Sequence, residues 1–243
     1  MSTQIDTGTN ELLCSIDDRV ATITLNRPER KNALSDNLTP ALRQTLLDLN
    51  TDQNVGCIVI TGAGNAFCAG GDVSGMGGGS ENKEPTQSPS IQDRVKALQH
   101  KQETLTLRLF EHAKPTIASL PGPAIGAGMC IALACDIRVG SESSFIGTGY
   151  RNVGFSGDYG GSWLLTKLVG IAKAKELFFT GRRVQSAECL DLGLFNRVVA
   201  NEKLQETTRE LATQIASGPP IAIGYMKENI NRAIELDLRG ALA

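Results

Sequence analysis

The sequence predicts an α/β fold on three observations: β-branched runs alternate with amphipathic helical runs, glycine-rich turns follow the strands, and the chain turns mainly helical after Lys173. Residues 19–25 carry Val20, Thr22, Ile23 and Thr24 as a strand that Asn26-Arg27-Pro28 breaks. Beyond Ser35, Leu38, Leu42, Leu46 and Leu49 recur at helical spacing with Asp36 and Asp48 on other faces, so a helix lays one stripe on a sheet. Cys57-Ile58-Val59-Ile60-Thr61, ended by Gly62, suits a strand covered on both faces. The helical period resumes over residues 95–110 through Leu98, Leu105 and Leu109, and a strand restarts at residues 115–118. A helix entered through glycines is predicted over 126–134, a strand over 136–139, a helix over 162–169, a short strand over 196–199 and a break at Pro219-Pro220. The division is a core over residues 1–199 and a helical region over 200–243. Residues 75–90, rich in Gly, Ser, Pro and Asn, predict a mobile surface loop.

Composition narrows the function. With 243 residues, 41% hydrophobic and 21% charged, the chain can bury a substantial core. A net charge of -2 and no basic run beyond Arg182-Arg183 argue against nucleic acid as a partner. Residues 1–10 are polar with Asp6 as their only charge and lack the pattern of a secretory leader, which predicts a cytoplasmic protein. The 6 cysteines are scattered without a Cys-x-x-Cys pair and read as buried free thiols. His100 and His112 have no partner at metal-ligand spacing, so no protein-bound metal is expected. The apolar run over 125–137 is too short and glycine-rich to cross a bilayer, so no membrane insertion is expected and the run reads as a buried helix.

Two glycine-rich turns carry the candidate chemistry: Ala66-Phe67-Cys68-Ala69-Gly70-Gly71-Asp72 and Pro121-Gly122-Pro123-Ala124-Ile125-Gly126-Ala127-Gly128. The second runs straight into a helix, so free backbone N–H groups and the positive end of the helix dipole converge on one spot. Such a spot holds an oxyanion, and each donor in a dry site contributes roughly 3 kcal/mol to an enolate. The plain alternative, that glycine only permits a tight bend, is the better reading of either turn alone. Neither turn completes a dinucleotide or P-loop pattern, so redox cofactor chemistry is not indicated.

The stretch Arg27-Pro28-Glu29-Arg30-Lys31-Asn32-Ala33-Leu34, the Phe67-Cys68-Ala69-Gly70-Gly71-Asp72 turn and Ala124-Ile125-Gly126-Ala127-Gly128 through Ala132-Leu133-Ala134-Cys135-Asp136 resemble successive hallmarks of the crotonase (enoyl-CoA hydratase/isomerase) superfamily. Gly154, Asp158, Gly160 and Gly161, then residues 183–187 and Gly193-Leu194 with Asn196-Arg197-Val198-Val199, continue the same order over nearly the whole chain. The resemblance implies a spiral of ββα units with a helical C-terminal region, assembled as a homotrimer or hexamer. It also implies a coenzyme A thioester as substrate, no permanently bound cofactor, and a carbonyl held between two backbone amides, here Gly71 and Ala127. Arg30, Lys31, Ala33, Ala69, Gly71 and Asp72 fall where the family lines the CoA; for Arg30 and Lys31, phosphate contact and solvated surface stay open.

Family hydratases use two glutamates, and the matching places hold Cys130 and Tyr150. A buried thiol is a poor base, so Cys130 reads as a small packing residue, while Tyr150 is either a proton donor or structural. Asp158 matches the aspartate of members that shift double bonds, and in an apolar acyl pocket its basicity would rise. The competing role is to cap the helix beginning near Gly160. Glu111 and Glu142 lie in polar stretches and are expected to face water. The leading expectation is double-bond isomerisation with Asp158 as base. A hydratase, a CoA-thioester hydrolase and a non-catalytic acyl-CoA binder are the alternatives. Family members usually continue past the equivalent of Ala243 with another helix, so CoA contacts from such a helix are not expected within this sequence.

Overall fold

The computed structural model describes residues 2–72 and 90–242. The chain opens with β1 (Thr3–Ile5), β2 (Leu12–Asp17) and β3 (Val20–Leu25), paired antiparallel. Helix α1 (Leu38–Thr51) then crosses to β4 (Cys57–Gly62), which lies parallel to β3 with Ile23 opposite Ile60. From Ile91, α2 (Ile91–Gln102) runs through a π-turn (Glu103–Leu107) into the short α3 (Arg108–Phe110) and on to β5 (Thr116–Leu120). β6 (Ala124–Ile125), α4 (Ala127–Ala134), β7 (Ile137–Ser141) and β8 (Phe145–Gly147) follow, then a 3-10 turn (Tyr150–Val153) and α5 (Gly161–Thr180). The chain closes with β9 (Arg183–Gln185), α6 (Ser186–Asp191), β10 (Arg197–Val199), α7 (Leu204–Ala216), α8 (Pro220–Ala233) and α9 (Leu238–Ala241). The main sheet has 7 strands in the order β1-β2-β3-β4-β5-β7-β10, parallel from β3 onward, and β6-β8-β9 form a second sheet.

The period of two along the strands decides what each face meets. Ala21, Ile23 and Leu25 of β3, Ile58 and Ile60 of β4, and Ala118 and Leu120 of β5 face α1 and α4. There Leu38, Leu42, Leu46 and Leu49 are buried, each contributing roughly 2 kcal/mol through the apolar area it removes from water. The alternate residues Val20, Cys57, Val59, Ile117 and Val139 pack on Leu204, Ala212 and Ala216 of α7. Helices on both faces explain why the central strands read as continuous apolar runs. They also hold the C-terminal ends of the strands, where the glycine turns begin, in a rigid frame.

The structure departs from the periodicity reading in two helices. The run over 95–110 is helical throughout, but α2 has no buried residue, and Val95 and Leu98 are exposed while Leu105 and Leu109 reach the core. The π-turn between them inserts an extra residue and resets the phase of the stripe. Helix α5 extends the expected 162–169 segment to Thr180 through Gly170, whose φ of 77° and ψ of 162° interrupt helical geometry. All 6 cysteines are buried and unpaired. The buried helix expected in the apolar run is α4, every residue of which is buried. Apart from Ser90, the loop expected over 75–90 lies outside the described residues.

Candidate active site

The two glycine-rich turns lie against each other. Phe67 and Cys68 donate their backbone N–H groups to the Pro123 carbonyl at 3.1 Å each, and Ile125 returns one to the Cys68 carbonyl at 2.9 Å. Glycine is required at 128 because a Cβ there would stand 2.3 Å from the Cys68 carbonyl oxygen. A Cβ on Gly70 would lie 3.6 Å from the Ala127 nitrogen, so the ends of the two turns are adjacent.

The segment 31–34 fixes the first turn from the other side. Ala69 N–H donates to Lys31 O at 3.0 Å, Leu34 N–H to Gly70 O at 2.8 Å, and Asp72 N–H to Leu34 O at 3.0 Å. These bonds use the groups flanking Gly71, and successive amides of extended chain point to opposite sides, so the Gly71 N–H faces away from that pairing. Ala127 is the first residue of α4, where amides lack an intrahelical acceptor. Neither the Gly71 nor the Ala127 amide donates to any group among the described residues. A Cβ on Gly71 would meet nothing within 4 Å among the described residues.

Asp158 arrives from the turn before α5. Its carbonyl oxygen accepts from the Gly161 N–H at 3.0 Å, the Tyr150 hydroxyl at 3.4 Å and the Cys130 thiol at 3.5 Å. Cys130 stands three residues after Ala127 on α4, a spacing of about 5 Å along one helix face, so the Asp158 backbone is tied within one turn of the free amide. Helix capping by Asp158 is not realised: α5 starts after Gly160 with no side-chain cap bond, and the Asp158 Oδ1 is buried without a hydrogen-bond partner among the described residues. Burial raises the Asp158 pKa above the ordinary aspartate value, opposed by the Tyr150 hydroxyl and its own backbone amide. Burial likewise pushes the Cys130 thiol up to about 12 and raises Tyr150 further still, so both stay protonated and neutral at physiological pH.

The family profile described as enoyl-CoA hydratase/isomerase matches residues 15–243. This chain belongs to that family. A short-chain-enoyl-CoA hydratase of Clostridium acetobutylicum is 33% identical over 235 residues, covering 96% of this chain and 86% of its relative. A 1,2-epoxyphenylacetyl-CoA isomerase of Escherichia coli is 33% identical, covering 91% of this chain and 82% of the relative. A putative enoyl-CoA hydratase from Thermobifida fusca, solved in complex with CoA, superposes with a TM-score of 0.85 at 33% identity over 96% of this chain and 88% of its own. The seven-stranded sheet with its flanking and C-terminal helices is thus the crotonase fold.

Within this enoyl-CoA hydratase/isomerase family member, the remaining expected site residues divide into two groups. Arg30 and Lys31 are exposed on a 3-10 turn beside the first glycine turn, with no ion pair among the described residues. Ala33 is buried, and Ala69 half-buried. The Asp72 carboxylate is held by Arg27, whose Nη2 lies 3.0 Å from Oδ2. Arg27 was part of the quoted motif but not of the expected site; it also donates to the Ala33 carbonyl at 2.7 Å and approaches Glu11 at 3.5 Å. Asn32, wholly buried, accepts from the Arg27 N–H and donates to the carbonyls of Ala63 and Ala66. Their signal in the sequence was a charge and an amide inside a turn motif, facing an aspartate in another. Glu111 and Glu142 face solvent as expected.

A cavity of about 1070 Å³ among the described residues lies elsewhere, between the π-turn and α3 on one side and α8 on the other. It includes neither free amide nor Asp158, and only Tyr159 and Gly160 bring its edge toward the Asp158 turn. Its walls mix Phe110 and Trp163 with Glu111, Lys114 and Lys227. The polar groups without a hydrogen-bond partner among the described residues, not this volume, make the two glycine turns and the Asp158 turn the candidate site.

Proposed function

We propose that this protein isomerises the double bond of an enoyl-CoA ester. Asp158 takes a proton from an acyl carbon, the electron pair of that C–H bond delocalises onto the thioester oxygen, and the Gly71 and Ala127 amides stabilise the resulting enolate. Return of the proton to a different carbon shifts the double bond with no net redox change and no added water. The observation that carries this reading is the buried Oδ1 of Asp158, an acceptor with raised basicity and no hydrogen-bond partner among the described residues. Protonated Cys130 and Tyr150, at the places where hydratases of the family carry glutamates, support it because neither activates water at neutral pH.

CoA would run past the exposed Arg30 and Lys31 toward the first turn, along Ala33, Ala69 and Asp72, a reading supported by the CoA complex of the Thermobifida fusca relative. The name of the Clostridium acetobutylicum relative favours a second reading, addition of water across the same double bond. The same proposal includes a site carried by residues 1–199, a homotrimer or hexamer, checked by sedimentation, and a cytoplasmic location, checked by fractionation.

Mass and ultraviolet assays with 2-enoyl-CoA and 3-enoyl-CoA esters in heavy water test it. Double-bond migration with deuterium uptake, lost in Asp158→Asn, is the expected result. Addition of water as the main outcome establishes the hydratase reading instead, and binding without turnover overturns both.

A further inference from the structure

Three elements meet at one carbonyl oxygen. Cys130 comes from α4, Tyr150 from the 3-10 turn, and Asp158 with Gly161 from the entry to α5. Cys130 Sγ and Tyr150 Oη lie 3.2 Å apart, and each reaches the Asp158 carbonyl, at 3.5 and 3.4 Å. The triangle is buried: Cys130 is 0% and Tyr150 5% exposed. The tyrosine ring is fixed independently of its hydroxyl, stacked on Phe178 with centroids 5.9 Å apart and planes within 5°. A Cβ at Gly161 would come 2.9 Å from the Cys130 sulfur and 3.5 Å from the Tyr150 hydroxyl, so only glycine lets α5 start this close.

A side chain hangs from its backbone. The bonds from Gly161, Tyr150 and Cys130 end on the Asp158 main-chain oxygen, and its carboxyl Oδ1 receives none among the described residues, while the Tyr150 hydroxyl also stands near enough to the carboxyl to oppose the effect of burial on its pKa. An acceptor left bare in a buried place has to be held there by something else, because it would otherwise turn toward water or a donor. We propose that Tyr150 and Cys130 are positioning residues that grip the Asp158 main chain and so aim its carboxyl at the substrate carbon. This rests on the reading of Asp158 as the base. It gives the two uncharged side chains a role in the reaction that neither performs as acid or base.

The test compares proton exchange of an enoyl-CoA ester in heavy water for wild type, Tyr150→Phe, Cys130→Ala, Cys130→Ser and Asp158→Asn. Tyr150→Phe keeps the ring stack and is expected to lower kcat about tenfold with KM changed less than about twofold, since the loss is one of aim and not of binding. The acid limb of its kcat profile moves to higher pH, because the hydroxyl that opposes the effect of burial on Asp158 is gone. Cys130→Ala lowers kcat severalfold, and Cys130→Ser, which restores a donor at the same place, recovers most of it. A purely structural role would lower Tm while leaving kcat and the pH limb where they were, and that result overturns the proposal. So does an unchanged kcat in both Tyr150→Phe and Cys130→Ala when Asp158→Asn is inactive. Full activity in Asp158→Asn instead removes the base assignment itself, so the two failures are told apart.

Discussion

Around residues 66–72 and 121–128 most side chains other than Phe67 and Ile125 are small, backbone groups pair across the two turns, and an added Cβ at 128 would collide with a carbonyl oxygen. Between α3 and α8 the side chains are large, charges of both signs line the walls, and about 1070 Å³ stays open. The first region carries two amides without acceptors among the described residues, and the neighbouring Asp158 turn carries a carboxyl oxygen without a donor among them. The second has volume, and its buried polar groups are satisfied: His112 Nε2 meets the Leu46 carbonyl at 3.0 Å, and its Nδ1 accepts from the Lys114 N–H at 3.0 Å. Lys227 pairs with Asp136 at 2.9 Å. Where polar groups are satisfied the chain is holding itself together, and where they are left bare in a tight frame it is ready for something else.

The sharpest way to break this comparison is Asp158→Asn, which keeps the shape of the turn and removes the proposed base. We expect isomerase turnover to fall about 10³-fold, within the range of general acid–base catalysis, with CoA-ester affinity retained by calorimetry. Next comes the packing of the turns. Gly128→Ala places a methyl against backbone that cannot yield, and urea unfolding should show a loss of about 3 kcal/mol, the upper part of the overpacking range.

The cleft side is expected to respond to pH more than to substitution. His112 is buried and held neutral, its pKa lowered to about 4 by burial first of all. The unfolded chain therefore takes up a proton more readily, and stability falls as pH drops from about 6.5 toward 4. The loss amounts to about 2 kcal/mol between pH 7 and 5, readable from denaturant midpoints and absent in His112→Gln. The smallest effect is expected for Tyr225→Ser, on the exposed face of α8 that lines the cleft: stability changes by about 0.5 kcal/mol or less, and turnover stays within about twofold. A large loss of turnover there would move chemistry into the cleft and reverse the comparison.

Much of the frame was legible along the chain. The leucines at 38, 42, 46 and 49 and the apolar run at 57–61 carry their periods within a few residues, and the helix and strand they predict are α1 and β4. The strands β1, β6, β8 and β9 span three residues or fewer and hold too few side chains to display a period. β2 does alternate, with Leu12 and Cys14 buried and Leu13 exposed, yet it is one short run. The phase slip at the π-turn depends on which carbonyl each amide finds, which leaves no trace in residue type.

By itself the sequence determined the α/β class and the two glycine turns, because turn chemistry and hydrophobic period are local properties of the chain, whereas Gly71, Ala127, Tyr150 and Asp158 were singled out by the family resemblance. Only the tertiary structure decided that the Asp158 carboxyl does not cap α5 and that its carbonyl is held by a thiol 28 residues earlier and by a tyrosine hydroxyl. The physical reason is distance along the chain. Cys130, Tyr150 and Asp158 meet because α4 packs beside the start of α5, and only a glycine at 161 lets them come that close.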